Sequence, residues 1–173
     1  MDMMFNIQEI YVGKATTLKL ANWTNAAKLG KTQGGGSFTQ EIEKIVVQSD
    51  QSADPEHIAI KRATKTLKLN LLEAKPDNLA LAFGAEYENN SDTINIASLP
   101  EGIEKSIKIV TRDIGGYHFE IEIARAMIEG NAELSFSSDN TTVIPLTATI
   151  LSPESGDPVR IKRVPAETTT QNN

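Results

Sequence analysis

Two long runs rich in β-branched and apolar residues, joined by a short acidic turn between Gly34 and Leu72, do most to limit what this chain can fold into. The first arm, Ser37 to Ser49, contains neither Gly nor Pro, as a long strand requires. The second arm runs from His57 to Leu72. Between them Asp50, Gln51, Ser52, Ala53, Asp54 and Pro55 supply turn chemistry, because Asx side chains bond nearby backbone and Pro55 presets φ without donating. The stretch therefore reads as one long antiparallel hairpin.

Opposed residues of an antiparallel pair share a face, so the side chains fix the register. Placing Phe38 near Leu69 groups Phe38, Gln40 and Ile42 with Leu67, Leu69 and Leu71 on a core face. The other face then holds Thr39, Glu41 and Glu43 beside Arg62, Thr64, Thr66 and Lys68, a wet surface on which acids and bases sit diagonally. Near the turn this division breaks down. Ile45, Val46 and Val47 are consecutive, as are Ile58, Ala59 and Ile60, so both faces of the distal hairpin are apolar and each needs a cover. The simplest cover is a second copy of the chain, and Ile45, Val46, Val47, Ile58 and Ile60 are the expected inter-subunit residues. The alternative is that these clusters are ordinary sandwich core.

At 173 residues the chain is one domain, or one domain with an arm, and large enough to bury a core. Aromatics make up only 5%, so that core must rely on Ile, Leu and Val. A net charge of -6 argues against tight wrapping of nucleic acid, which needs several phosphate-neutralising cations on one face, but allows passing contact with DNA. The absence of cysteine excludes disulfides and thiolate metal sites. No apolar run approaches a membrane span, and the first ten residues lack the regions of a signal peptide, so the expectation is a soluble chain with no membrane partner.

In chain order, Asn6 to Val12 and Thr16 to Leu20 alternate as strands, with Gly13 and Lys14 as a turn or bulge between them. Ala21 to Gly36 is small, polar and glycine-rich and reads as a loop with one helical turn around Ala26 and Ala27. Pro76 and Asp77 open a short apolar run closed by Gly84, a short helix. Glu86 to Asp92 reads as loop and Thr93 to Ala97 as a brief strand. An antiparallel meander follows: Ser106 to Thr111, a turn at Gly115 and Gly116, Tyr117 to Ala124, a turn at Gly130 and Asn131, Glu133 to Ser137, a turn at Asp139 and Asn140, and Val143 to Leu151. Pro145 belongs at an edge or bulge of that last strand. These expectations divide the chain into a β domain over residues 1–152 and a polar extension over 153–173, which holds a further strand at Val159 to Val164. Neither the loop before Gly36 nor the extension has the apolar content to fold by itself.

The Gly35-Gly36-Phe38 lead into a long strand, the hairpin to Leu71, the helix in Asp77-Asn78-Leu79-Ala80-Leu81-Ala82-Phe83-Gly84, and the closing Leu134, Phe136, Asp139 and Val143-Ile144-Pro145-Leu146 together resemble the tail tube (major tail) proteins of long-tailed bacteriophages, relatives of the tubes of contractile injection systems. The resemblance covers about Phe5 to Leu151. It implies a mainly β fold, an antiparallel β-sandwich or half-barrel with a long extended hairpin and one short α-helix. It further implies a structural virion protein whose hexameric rings stack into a hollow tail tube, a conduit for DNA ejection, assembled in the bacterial host cytoplasm. Sheath, tape-measure and tail terminator proteins would be its neighbours. On that reading, weakly repulsive or hydrated walls guide DNA without holding it, and Glu41, Glu43, Glu120 and Glu122 are the candidates to line the bore, with Arg62 and Lys68 on the hairpin's wet face. The basic segment Arg160-Ile161-Lys162-Arg163 has no place in the pattern.

Catalytic chemistry is not expected. Gly30-Lys31-Thr32 resembles the end of a P-loop, but the upstream position holds Asn25 where glycine is required. His57 and His118 lack a second ligand at useful spacing, no G-x-S-x-G is present, and Glu120 and Glu122 fit a solvated strand face better than an acid/base pair. No cofactor or metal is expected. Against the structural assembly reading stand a tube of a contractile injection or secretion system and a monomeric β-sandwich that binds a ligand. The scarcity of aromatics weighs against the binder when the ligand is a sugar.

Overall fold

The computed structural model describes residues 6–24, 26–88, 90–134 and 143–166. Ten strands and one helix are formed among them: β1 (Ile7–Lys14), β2 (Ala27–Lys28), β3 (Thr32–Val47), β4 (His57–Leu71), α1 (Pro76–Ala82), β5 (Tyr87–Glu88), β6 (Thr93–Ile94), β7 (Ile103–Thr111), β8 (Tyr117–Ile128), β9 (Ile144–Ile150) and β10 (Val159–Pro165). Eight of the strands form one antiparallel sheet in the order β2-β1-β7-β8-β9-β4-β3, with β10 paired to β8, and β5 and β6 form a separate small hairpin. The sheet curls until β1 touches β3, so its inner faces share a single core. Ile10, Leu67, Leu69, Leu71, Ile107, Ile123, Ile128, Ile144 and Leu146 are all buried there, an aliphatic core as the composition requires. The expected half-barrel with one packed helix is the architecture found.

The curl depends on a bulge in β8. Lys105 faces Ala126 but Ile107 faces Ile123, so Ala124 and Arg125 together oppose Ser106. The extra residue lets both Ile123 and Ala126 point inward, and it increases the bend of the strand. At the same point the far edge of β8 changes partner, from β10 over Tyr117 to Ile123 to β9 over Ala126 to Ile128. Arg125 holds this fork. Its Nε and Nη2 donate to the two Glu104 carboxylate oxygens at 2.7 Å each, and its Nη1 to Ser152 O at 3.3 Å.

The hairpin root depends on glycine. Gly34 and Gly35 both have φ near +73°, and they carry β3 through an irregularity between the Thr32–Leu71 and Gly36–Leu69 pairs. A Cβ at Gly36 would lie 2.6 Å from Leu69 Cδ2 and 2.7 Å from Lys68 O, with Ile7 Cδ1 at 3.4 Å. Only glycine lets three strands close there.

Helix α1 starts on Pro76, whose missing N–H is no loss at the first turn, and ends in a Schellman arrangement: Ala85 N–H donates to Ala80 O and Gly84 N–H to Leu81 O, with Gly84 at φ +62°. Asn78 is buried at 2% exposure, and its Nδ2 donates to Leu29 O and Glu73 O, both at 2.9 Å. One amide thus ties the helix to the loop before β3 and to the end of β4.

Several expectations change. Phe38 pairs with Leu67, two residues from the expected Leu69, a slip that preserves every face because the side-chain period is two. The first arm begins at Thr32, before Ser37. Thr16 to Leu20 is a turn, with Leu20 N–H bonded to Thr17 O and Thr16 N–H to Ala124 O, and Gly13 and Lys14 lie inside β1. Ala26 and Ala27 form no helical turn: Ala27 and Lys28 pair with Val12 and Tyr11, and Leu29 behind them is a core residue. Glu86 to Asp92 contains β5. Glu133 and Leu134 are not in a strand, while Phe136, Ser137, Asp139 and Asn140 lie outside the described residues. The strand expected at Val159 to Val164 forms as β10, which runs along β8 from Val159 opposite Ile123 to Pro165 opposite Tyr117. Pro145 sits where β9 has β4 on one edge and its β8 pairing has not begun, the kind of one-sided position expected for it.

Candidate assembly surface and bore-facing residues

The hairpin extends far beyond the sheet that roots it. Among the described residues, strand β9 pairs with β4 only from Leu71 to Thr66, so from Lys65 to His57 the far edge of β4 carries no strand, and β3 has β4 as its only ladder partner. A second bulge lies within this free part: Glu43 faces Arg62, Lys44 faces Ile60, and Lys61 is the extra residue. Lys61 stays on the Glu43 side, its Nζ 2.8 Å from Glu43 Oε1. Beyond the bulge, Val46 faces Ile58 and Lys44 faces Ile60, so Ile42, Val46, Ile58 and Ile60 extend the line of the core face. Ile45 and Val47, opposite Ala59 and His57, occupy the other face.

All six aliphatic side chains are exposed, from 41% at Ile42 to 66% at Ile60. The chain's own core therefore covers none of the residues Ile45, Val46, Val47, Ile58 and Ile60. The turn beyond them is internally bonded: Glu56 N–H donates to Val47 O at 3.0 Å, Gln48 Nε2 to Ser52 O and Ala53 O, and Ser52 Oγ to Asp54 O. Such a tip is shaped before it meets anything.

Of the polar candidates, Glu41, Glu43, Arg62 and Lys68 share the outer face of β3 and β4. Glu41 is opposite Thr64, Glu43 opposite Arg62, and Ser37 opposite Lys68. The face continues onto β9, where Thr147 and Thr149 stand beside Lys68 and Thr66. It is an array of hydroxyls with a few charges.

Glu120 and Glu122 are on the outer face of β8. Around the curled sheet, β9 and β4 separate β8 from β3 in one direction and β7 and β1 in the other, so the two outer faces look apart. Both glutamates are ion-paired. Glu120 Oε1 is 2.8 Å from Lys108 Nζ and 3.9 Å from His118 Nε2. Glu122 is only 2% exposed and receives Arg160 Nε at 2.8 Å, Arg160 Nη2 at 2.5 Å and Lys162 Nζ at 2.9 Å. Burial alone pushes the Glu122 carboxyl up, but the bonds and charges of Lys162 and Arg160 outweigh it and hold the group below its ordinary range.

This gives the basic segment its place. Arg160 and Lys162 clamp Glu122, and the Arg163 guanidinium lies 3.9 Å from the Tyr117 ring centroid. A strand at Val159 to Val164 was expected from the sequence, but a partner for its cations was not. Its pairing with the Glu120/Glu122 alternation depends on β10 returning beside β8.

Lys28 Nζ and Glu9 Oε1, 2.8 Å apart, extend the paired charges across β1 and β2, and the Tyr11 hydroxyl also donates to Glu9. Among the described residues no three His, Cys, Asp or Glu side chains gather as a metal would need, and no helix is long and apolar enough to cross a membrane.

Comparison with curated proteins gives no match. The model of the family described as phage tail tube protein matches residues 9–161, a span that includes the whole hairpin, α1 and the start of β10. With the curled antiparallel sheet, its single helix and its projecting hairpin, this establishes that the chain belongs to the phage tail tube protein family.

Proposed function

We propose that copies of this chain associate through the distal hairpin into hexameric rings that stack into a hollow tube, the conduit through which the genome is ejected. The observation that carries this is the hairpin itself, a long ribbon with exposed aliphatic side chains on both faces and free backbone edges. A Val or Ile moved from water into a packed interface gains about 1.5–3 kcal/mol, so six of them are a strong force for association. Isolated in solution such a ribbon is an aggregation hazard; between copies it is an assembly device.

For the bore we favour the outer face of β3, β4 and β9. Its threonines hold water, Glu41 repels phosphate weakly, Glu43 is paired with Lys61, and Arg62 and Lys68 are few enough to be masked by salt. The outer face of β8 would then look away from the axis, with Glu120 and Glu122 serving to pair β7 and β10. The role is structural, without a reaction of its own, and belongs to the virion tail after assembly in the host cytoplasm. Tape-measure protein inside, terminator at the end, and a sheath where the tail contracts are the partners this geometry would meet. The family match favours a phage tail over a secretion-system tube.

Negative-stain images of the purified chain test the proposal. Rings or tubes are expected from the wild type. Val46→Asp or Ile58→Asp would bury an unpaired carboxylate at a cost of about 3 kcal/mol or more, and should abolish them while the monomer's circular dichroism is kept. Normal assembly by either variant would exclude the hairpin as the interface.

A further inference from the structure

Strands β1, β7, β8 and β10 lie side by side, and the outer face they share carries a recess of about 780 Å3, within the size range of small-molecule sites. Its floor is polar and sunk. The side chains of Lys108, His118 and Glu120 line it at 15%, 18% and 16% exposure, low values for ionisable groups on the outside of a sheet. One wall is the loop between β1 and β2, which contributes Trp23, half-buried and the single tryptophan of the chain. The loop is held by its own bonds, Ala26 N–H to Trp23 O at 3.3 Å and Thr24 N–H to Asn22 Oδ1 at 2.9 Å, so this wall is shaped before anything binds. Tyr11 lines the same recess, its ring centroid 5.3 Å from Lys28 Nζ.

Every ionisable group that lines the recess has an opposite number. Glu9 pairs with Lys28, Glu120 with Lys108, and Asp113 lies 3.0 Å from His118 Nδ1. An anion entering here would meet the carboxylates of Glu9, Asp113 and Glu120, and a cation would meet Lys28 and Lys108. Either would have to break an existing pair and leave its partner uncompensated. What the recess offers instead is a fixed set of donors and acceptors beside an aromatic ring. That suits a ligand with no charge, many hydroxyls and an apolar ring face, and carbohydrate has all three. Aromatics are scarce in this chain, yet Trp23 and Tyr11 meet at this one place.

We propose that this recess is a saccharide site, which takes a neutral oligosaccharide by stacking a sugar ring on Trp23 and bonding its hydroxyls to Glu120, Lys108 and His118. Sugars of the β-linked glucose or N-acetylglucosamine type fit best, because their equatorial substituents leave a flat C–H face for the indole. On the bore assignment above, the recess opens on the outside of the tube, the side a glycan reaches. The binding itself belongs to the single chain and does not depend on how copies assemble.

Because Trp23 is the only tryptophan, tryptophan-selective fluorescence reports this recess alone. Titrating the full chain with cellotetraose or tetra-N-acetylchitotetraose should change that signal along a saturable curve that added salt leaves in place, in dispersed chain and assembled tube alike. By calorimetry Trp23→Ala should weaken binding about tenfold, Trp23→Phe should weaken it less, and Glu120→Gln should weaken it several-fold, each with the wild-type circular dichroism. No saturable change at millimolar sugar, or equal affinity in wild type and Trp23→Ala, would overturn the site. Inorganic phosphate that binds and displaces the sugar would overturn it in favour of an ion site. Binding by dispersed chain that disappears in the tube would give the recess to a contact between copies and overturn it as a site of the tail. Failure of the chain to form tubes would remove the assembly reading and leave the binding measured on dispersed chain as the test of this one.

Discussion

Glu122 shows how much of a residue's role depends on what the fold brings beside it. In the sequence it is one of two acids on the wet side of an alternating strand, and that side was legible. Its near-complete burial was not, because Arg160 and Lys162 lie some forty residues on and reach it only when β10 lies along β8. The pairing has a pH consequence. The folded-state pKa of Glu122 is held below the ordinary glutamate value of about 4.3, so its contribution is fully present above that value and is lost as pH falls below it. Protonation would leave two cations against a neutral group. Amide protection of β10, corrected for intrinsic exchange, should therefore drop relative to β7 between pH 6 and pH 3. In Glu122→Gln, which cannot titrate, it should be weaker at pH 6 and no longer pH-dependent. Equal protection of β10 in the wild type at both pH values would contradict this role.

At the scale of elements, the hairpin and helix α1 were readable because their signals are local: β-branched runs around an Asp/Pro turn, and Pro76 and Gly84 around an apolar run. What escaped was set by contacts across the fold. The alternation of Thr16 to Leu20 suggested a strand, yet Thr16 bonds Ala124 O, which ends β1 and leads into a turn. The two-residue register slip left no trace in the facing pattern, and neither the β8 bulge at Ala124 and Arg125 nor the β4 bulge at Lys61 has a glycine to mark it. Lys61 is nonetheless the reason that Ile58 and Ile60 join Val46 on one face. The hairpin also predicts a gradient of stability along its own length. Leu67, Leu69 and Leu71 are buried between β3 and β9, while His57 to Ile60 have one strand beside them and water on both faces. Hydrogen exchange should be slow at Leu67 to Leu71 in both monomer and tube. At Ile42 to Val47 and His57 to Ile60 it should be fast in the monomer and slow in the tube. Fast exchange of the distal hairpin in the tube would mean that no neighbour covers it.

At the scale of the whole molecule, function rests on which of two outward faces meets the axis. Sequence alternation identified polar faces correctly on both β3 and β8, but it carries no information on how a sheet curls, so Glu41, Glu43, Glu120 and Glu122 read as one set. The strand order separates them. If the β3, β4 and β9 face lines the bore, Glu41→Lys, Glu43→Lys tubes should form normally but retain DNA at low salt. Binding should weaken as salt rises, with a log-log slope of about 0.9 per phosphate neutralised. The same reversal at Glu120 should leave DNA passage unchanged. Retention by the Glu120→Lys tube alone would assign the bore to the other face.

A cryo-electron microscopy reconstruction of the assembled wild-type tube tests most directly whether the distal hairpin is the surface through which copies of this chain meet. It should show Ile45, Val46, Val47, Ile58 and Ile60 buried against neighbouring copies, with Glu41 and Glu43 facing the axis. A tube in which these five side chains remain in solvent, its subunits joined through other surfaces, would contradict that role.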